Sequence, residues 1–160
     1  MGKNLTASLI KDINPGSESS NPGFLDDING NLLFTTFNPS QALNTQLWKT
    51  DGDETGTLLV EDFGNNSFPP TSIATADGAV YFILNTSFTT SSLLGSDGTT
   101  DGTFSVDSAN LRAGSTIGNL TAVGDTVFYT ATTCTFSQIR ERLFKIDNNT
   151  LEPVLIQPES

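Results

Sequence analysis

Short apolar runs, each closed by turn residues, recur along the whole chain. The runs are about four to seven residues long, and no stretch shows the 3.6-residue apolar period of an amphipathic helix. Three of the runs are apolar at consecutive positions: LLF at 32–34, VYF at 80–82 and VFY at 127–129. This pattern predicts an all-β protein.

A turn phrase follows each of these runs and makes the chain a tandem repeat. The phrase reads LWKTDGDETGTLLV from Leu47, LLGSDGTTDGTFSV from Leu93 and LFKIDNNTLEPVLI from Leu143. It places three aspartates at equivalent positions, 46 and 50 residues apart: Asp51, Asp97 and Asp147. The aromatic residues that end the apolar runs are 48 and 47 residues apart: Phe34, Phe82 and Tyr129. Because two sets of landmarks share one period, we predict a single repeat domain over 1–160, with repeats at about 8–56, 57–102 and 103–157.

The physical chemistry of the phrase is that of a β-hairpin. An Asp side chain accepts hydrogen bonds from backbone N–H groups just ahead of it, and the Gly that follows adopts positive φ without a Cβ clash. The second glycine, Gly56 or Gly102, is expected to allow another unusual backbone angle before the next strand starts. The third copy is degenerate, because Asn148 replaces the first Gly and Glu152 and Pro153 replace Gly-Thr.

Each repeat therefore contains four short strands, and the third strand is apolar on both faces. Adjacent apolar pairs occur there in every copy: Leu47 and Trp48, Leu93 and Leu94, Leu143 and Phe144. A sheet with one face in water would alternate apolar and polar residues, so we expect these sheets to be covered on both sides. Four-stranded sheets with this period are typical of the blades of a β-propeller. A β-sandwich leaves its outward faces polar, and a β-helix has a shorter repeat.

A family resemblance agrees with this interpretation. The phrases LWKTDGDETGT and LLGSDGTTDGT, with LIKDINPGSESSNP upstream, resemble a bacterial repeat named for its consensus, ELWxxDGTxxGT. The resemblance covers nearly the whole chain, is close in the first two repeats and fades in the third. It implies β-propeller-like repeats in tandem arrays of secreted or cell-surface proteins, and it implies no particular activity.

The number of strands predicts a partial propeller. Residues 8–13 (SLIKDI) match residues 58–63 (LLVEDF), so we expect one extra N-terminal strand beside three four-stranded antiparallel blades. Known propellers close with about four to eight blades, and three cannot form a ring alone. The implied partners are further blades of the same chain, which we favour, or self-association of copies.

Composition excludes several kinds of chemistry. The chain has no histidine, which removes Ser-His-Asp and Cys-His nucleophiles and every His-ligated zinc site. Its only cysteine, Cys134, has no basic neighbour in the sequence nearer than Arg140, so we interpret it as a thiol without a catalytic role. The net charge of −11 disfavours nucleic acid and anionic membranes as partners, and no apolar run is long enough for membrane insertion.

Calcium is the one specific site hypothesis. Asp51, Asp53 and Thr55 place oxygen ligands at alternate positions before a glycine, and the second copy offers Asp97, Thr99 and Asp101. Such spacing echoes calcium loops, in which alternate side chains converge on one hard cation. Asp62 falls at the twelfth place counted from Asp51, but we expect it to lie too far along a strand. The simpler interpretation is that the first Asp of each loop caps the turn.

Two functions of different classes remain. The first, which we favour, is a non-catalytic structural or adhesive module of a secreted or cell-surface bacterial protein, whose loops bind a partner protein or glycan. The alternative is a fragment of a glycan-processing propeller enzyme with a carboxylate-based site mostly outside this segment. Asp26-Asp27 and Glu61-Asp62 are the candidate carboxylates, although adjacent strand residues point to opposite faces. The opening MGKNLTASLI lacks signal-peptide features, so we expect any export signal outside this segment.

Overall fold

Twelve strands and no helix make up the part of the chain that the computed structural model describes, which is residues 6–40, 42–86, 91–106, 116–135, 138–146 and 153–156. They form three antiparallel sheets of four strands each. Sheet 1 contains β1 (Gly23–Ile28), β2 (Asn31–Asn38), β3 (Asn44–Thr50) and β4 (Leu58–Asp62). Sheet 2 contains β5 (Ile73–Ala76), β6 (Ala79–Asn85), β7 (Ser91–Ser96) and β8 (Thr103–Ser105). Sheet 3 contains β9 (Thr116–Val123), β10 (Thr126–Thr135), β11 (Gln138–Ile146) and β12 (Pro153–Ile156). The all-β prediction is confirmed.

Within every sheet, each strand pairs with the next strand along the chain. The first hairpin of sheet 1 turns through Asn29 and Gly30, with φ of 52° and 79°, and that of sheet 2 turns through Asp77 and Gly78, with φ of 48° and 72°. Positive φ at both central residues is the type I′ geometry, whose twist matches that of the flanking strands. The turn chemistry in the sequence therefore sets the local topology.

Two apolar layers hold the three sheets together. The layer between sheets 1 and 2 contains buried side chains from both: Ile28, Leu33, Leu47, Val60, Val80, Phe82 and Leu84. The layer between sheets 2 and 3 is built in the same way, and its largest members are Tyr81, Ile83, Leu93, Tyr129 and Phe144. Burying each large apolar side chain contributes about 1.5–3 kcal/mol. Sheet 2 has a neighbouring sheet on each face, as predicted, whereas, among the described residues, sheets 1 and 3 each have a neighbouring sheet on one face only.

The sheets stack head to tail. We call the front face of a sheet the one that faces the next sheet along the chain, and the back face the opposite one. Front positions recur in all three sheets: Ile28, Ala76 and Val123; Leu33, Tyr81 and Phe128; Leu47, Leu93 and Leu143. Back positions recur as cross-strand pairs: Phe34 with Trp48, Phe82 with Leu94, and Tyr129 with Phe144. In both layers, front positions of one sheet therefore meet back positions of the next.

The first strands of neighbouring sheets also lie side by side, because β5 contacts both β1 and β9. The Asp26 carboxylate in β1 accepts a hydrogen bond from the Thr75 hydroxyl in β5. At the next junction the Leu120 N–H donates to Ser72 Oγ (3.1 Å), immediately before β5. Polar bonds between neighbouring sheets thus accompany the apolar layers along the line of first strands.

The prediction of an extra N-terminal strand over residues 8–13 is wrong. The chain over 6–12 has no strand assignment, and the Leu9 side chain is 81% exposed. A strand is defined by its ladder partner, and the matching segment in the repeat, β4, has β3 beside it. The apolar pattern is the same in both segments, but residues 6–12 have no sheet ladder. The second and third predicted repeats start with β4 and β8, which are the last strands of sheets 1 and 2. The sheets are therefore offset by one strand from the predicted repeats of 8–56, 57–102 and 103–157.

Candidate functional site

The β3–β4 turn, which we call loop 1 (residues 51–56), is organised by hydroxyl groups and one carboxylate. The Thr50 and Thr57 hydroxyls hydrogen-bond to each other across the neck of the loop (2.7 Å). The Gly52 N–H donates to Thr50 Oγ1 (3.0 Å), and the Asp53 N–H donates to Asp51 Oδ1 (3.0 Å). Asp51 therefore satisfies the loop backbone, which is the capping role that its position predicted.

The β7–β8 turn, loop 2 (residues 97–102), repeats this arrangement. Ser96 and Thr103 share a hydrogen bond across the neck (3.2 Å), and the Gly98 N–H donates to Ser96 Oγ (3.2 Å). Asp97 Oδ1 accepts from both the backbone N–H of Thr99 (2.8 Å) and its hydroxyl (2.7 Å). Those two bonds hold the pKa of the Asp97 carboxyl below its ordinary value. The neck hydroxyls were not predicted from the sequence, although their recurrence in the first two copies was a visible signal.

The two glycines of each loop have different roles. Gly52 and Gly98 adopt positive φ, 102° and 80°, as predicted for the residue after Asp. Gly56 and Gly102 do not have positive φ, so the expectation of a second unusual backbone angle is wrong. A Cβ at either position would overlap the carboxylate of Asp51 or Asp97 instead. The second glycine thus leaves room for the capping carboxylate, which a Cβ at that position would displace.

The structure brings the predicted metal ligands into two loops without bringing them to one point. All six residues are exposed: Asp51 and Asp97 accept hydrogen bonds from loop backbone, the Thr99 hydroxyl donates to Asp97, and Asp53, Thr55 and Asp101 extend into solvent. Over the described ranges, no three Cys, Asp or Glu side chains come together as a metal site would require. The third copy, with Asp147, lies outside the described residues. Calcium binding by Asp51, Asp53 and Thr55, or by Asp97, Thr99 and Asp101, stays a prediction.

Asp62 belongs to a different network, at the far end of β4 from loop 1. Gln46 Nε2 donates to Asp62 Oδ2 (2.8 Å), and Asn44 Nδ2 (3.1 Å) and the Gly64 N–H (2.8 Å) donate to Oδ1. Burial raises the pKa of this carboxyl, but the three hydrogen bonds outweigh burial and lower it overall. Trp48 Nε1 donates in turn to Gln46 Oε1 (3.2 Å). The expectation that Asp62 lies too far along its strand to join loop 1 is confirmed.

Thermal unfolding with and without calcium tests the metal hypothesis. A ligand that binds only the folded state raises Tm, and the gain grows with its concentration. If the loops bind calcium, the chelator-treated protein will unfold at a higher temperature in millimolar calcium than in millimolar magnesium. Asp53→Ala and Asp101→Ala remove one oxygen ligand from each loop but leave both caps, so they should abolish the shift. An unchanged Tm would restrict Asp51 and Asp97 to capping the turns.

Acidic residues collect at one end of the stack. Turns β1–β2 and β3–β4 lie at the same end of an antiparallel sheet. Loop 2 lies at this end too, because Gly98 packs beside Leu33 and Ile28 of sheet 1. We call this the acidic end; its described turns carry Asp51, Asp53, Glu54, Asp77, Asp97, Asp101 and Asp125. We call the opposite end the neutral end, because its described connections, residues 39–40, 42–43 and 63–72, contain no acidic residue; Asp62, the last residue of β4, also lies there and accepts hydrogen bonds from Gln46 and Asn44.

The two outer faces of the stack differ from its interior. On the front face of sheet 3, Leu143 is 43% exposed, whereas its equivalents Leu47 and Leu93 are 3% and 2% exposed inside the stack. On the back face of sheet 1, Trp48 is half-buried beside Leu59, its cross-strand partner. The back face of sheet 1 and the front face of sheet 3 are therefore apolar faces without the neighbouring sheet that covers the equivalent positions inside the stack.

Residues 8–22 pass over the back face of sheet 1 without filling it. Lys11 Nζ donates to the Thr57 carbonyl (2.8 Å), and the Phe37 N–H donates to the Ser20 carbonyl (3.0 Å). Two cavities remain between this segment and the sheet. One has a volume of about 370 Å³ and is lined by Ile13, Gln46, Trp48 and Leu59 among others, and the second has about 310 Å³ beside Leu9, Ile10 and Phe34. The segment is an incomplete cover.

The two candidate carboxylate pairs lie on opposite edges of sheet 1, apart from each other. Asp26 is engaged by Thr75 of the neighbouring sheet, and Asp27, the next residue along β1, is exposed on the same strand. Glu61 and Asp62 sit on β4, on the far side of sheet 1 from the first strands. Cys134 falls in β10, and its side chain lies outside the described part of the chain.

Comparison with protein-family models, with curated proteins and with solved structures found no match. Within the described residues, no helix is long and apolar enough to cross a membrane.

Proposed function

We propose that the chain is a non-catalytic β-propeller repeat module of a secreted or cell-surface bacterial protein, which acts as a structural or adhesive scaffold. The observation that carries the proposal is the head-to-tail stack, in which front positions of each sheet meet back positions of the next. Four-stranded sheets that stack face to face, with their first strands side by side, are the arrangement of propeller blades about a common axis. The resemblance to the ELWxxDGTxxGT repeat supports the same fold and an exported location.

The acidic end is the surface that we propose for partner contact. Loops 1 and 2 present the same capped turn twice at this end, with Asp53, Glu54 and Asp101 exposed to solvent. Carboxylates aligned at one end of the stack favour a partner protein or glycan that carries positive charge. A scaffold that displays repeated capped turns can hold such a partner through several weak contacts at once.

Binding to a printed array of glycans and basic proteins tests this function. We expect retention of the chain on cationic spots, weakened about tenfold by the triple variant Asp53→Asn, Glu54→Gln and Asp101→Asn, with a reduced salt dependence. The matched control replaces exposed residues of the neutral end, Ser40, Asn65 and Thr71, by Ala.

Mass spectrometry of the same glycans after incubation separates the scaffold from the enzyme alternative. A scaffold leaves them intact, whereas cleavage products would favour the propeller enzyme. If only the neutral-end variant lost retention, the contact surface would lie at that end.

A further inference from the structure

We infer that the front face of sheet 3 docks on the back face of sheet 1 of a second copy, and that two copies close one ring of six sheets. The inference rests on the proposed propeller stacking and adds the partner that completes it. It concerns an interface that the chain already forms twice within itself.

The front face of sheet 3 has the same apolar positions as the front faces of sheets 1 and 2, but no described sheet covers it. Three apolar positions are exposed or half-buried there and buried in the preceding sheets. Val123 is 62% exposed, against 4% for Ile28 and 5% for Ala76. Phe128 is half-buried, against 1% and 4% exposure for Leu33 and Tyr81. Leu143 completes the set, with Thr130 as its cross-strand partner.

The back face of sheet 1 is the matching surface. Its central pair, Phe34 and Trp48, occupies the positions of Phe82 and Leu94 in sheet 2 and of Tyr129 and Phe144 in sheet 3. Those later pairs are what covers the front faces of sheets 1 and 2. Since the same positions meet at both internal junctions, a third junction between copies continues an existing interface.

The geometry of head-to-tail contacts limits the number of copies. A heterologous contact forms a ring if the rotation closes, and otherwise a filament. Two copies supply six sheets, which lies within the range of about four to eight blades in known propellers, whereas three copies would exceed it. A pair of chains with two identical junctions is therefore the closed form.

Residues 6–12 lie on the docking surface and must move aside. They match β4 of the internal repeat, so the fourth strand of the docking sheet falls where they lie. Their packing is loose, since Leu9 is 81% exposed and the cavity of about 310 Å³ lies beside Leu9 and Ile10, and the Lys11 Nζ bond to the Thr57 carbonyl (2.8 Å) is the contact that has to break. The incoming sheet fills that space and covers Trp48. Deleting residues 1–12 is thus expected to leave association intact or make it tighter.

Sedimentation equilibrium of the full chain over a range of concentrations tests the inference. We expect a monomer–dimer equilibrium without higher species. Trp48 fluorescence should shift to the blue as the dimer forms, because the partner covers the indole, and the signal is assigned to Trp48 because it is the only tryptophan. Association should tighten with salt, since each copy carries a net charge of −11. A monomer at all concentrations would overturn the inference, and so would open-ended polymers.

Three leucines with similar exposure provide matched variants. Leu143 (43% exposed) lies on the front face of sheet 3, Leu59 (38%) on the back face of sheet 1, and Leu58 (48%) on the opposite face of β4, away from both end faces. Leu143→Asp and Leu59→Asp should each weaken association at least about 100-fold, because each buries an unpaired charge. Leu58→Asp should leave association unchanged.

Mixing the two weakened variants identifies the head-to-tail contact. The Leu143→Asp chain keeps its back face and the Leu59→Asp chain keeps its front face, so the mixture should form a heterodimer through one intact junction. If the contact were front to front, only Leu143→Asp would matter and mixing would restore nothing. A result of that kind, or loss of association on deleting residues 1–12, would overturn the inference. The proposed stacking within one chain would still stand, because core variants test it separately.

Discussion

Replacing Leu93 by Ala is expected to lower the free energy of unfolding by about 2–5 kcal/mol, whereas the same change at Leu143 should cost less than about 1 kcal/mol. Both residues occupy the same position of the repeat and lose the same atoms. Leu93 is enclosed between sheets 2 and 3, and Leu143 is 43% exposed on the front face of sheet 3. The large cost at Leu93 combines the lost transfer free energy with the cavity left between two sheets.

Urea unfolding at low protein concentration measures these differences, with Leu47→Ala as a second buried example. We expect Leu47 and Leu93 to agree within about a factor of two, since both are nearly fully buried in equivalent layers. At high concentration the cost at Leu143 should rise, because a second copy then covers it. Equal costs at all three leucines in dilute solution would show that the sheets do not stack head to tail.

Replacing Gly102 by Ala is expected to destabilise the protein by about 1–3 kcal/mol through loss of the loop 2 cap. A Cβ there would overlap the Asp97 carboxylate and also meet the Thr99 hydroxyl. The carboxylate must leave its place, and both of its hydrogen bonds from Thr99 are lost. This cost comes from one contact across the loop, between position 102 and the Asp97 carboxylate, and not from the intrinsic preference of Gly or Ala for a secondary structure.

A double-mutant cycle isolates that contact. In the Asp97→Ala background the overlap with the carboxylate is absent and the Thr99 hydroxyl, no longer bonded to Asp97, is free to rotate away, so Gly102→Ala should cost little more than Asp97→Ala alone. Gly78→Ala is the control. Ala at position 78 is strained by the positive φ (72°), but its Cβ meets no neighbouring atom. The cost of Gly78→Ala should therefore add to that of Asp97→Ala. Additive costs for Gly102 and Asp97 would show that the glycine does not serve to make room for the carboxylate.

The same cap has a defined pH dependence. Its hydrogen bonds lower the pKa of Asp97 in the folded protein, so the stabilisation is complete above the unfolded pKa of about 4 and is lost as pH falls through the lower folded value. Asp97→Asn should flatten this acid limb of the stability profile. Unfolding free energies between about pH 2 and 5 would show the difference from the parent protein.

Much of the local structure follows from residue spacing. The apolar triplets at 32–34, 80–82 and 127–129 all lie in second strands, and Asn29-Gly30 and Asp77-Gly78 form type I′ turns. Both are short-range effects, because a strand requires a β-compatible run and a tight turn requires residues that tolerate positive φ. The capping role of Asp51 and Asp97 is equally local, as each carboxylate bonds to the backbone two residues ahead.

Other features depend on what lies across from a residue. Residues 8–13 and β4 share a pattern, yet only β4 has a partner strand. Gly56 and Gly102 leave room for a capping carboxylate, and spacing alone suggested an unusual angle instead. The metal-ligand spacing of loops 1 and 2 was visible in the sequence, but the directions of the side chains were not.

The sequence by itself determined that the chain forms short antiparallel strands, tight Asp-Gly and Asn-Gly turns and three similar units, since hydrogen bonding and steric limits between near neighbours suffice for these. Only the tertiary structure decided which face of each unit meets the next, which glycine accommodates a carboxylate and where acidic turns collect. Those outcomes depend on contacts between residues far apart in the chain, and on which apolar faces find a cover.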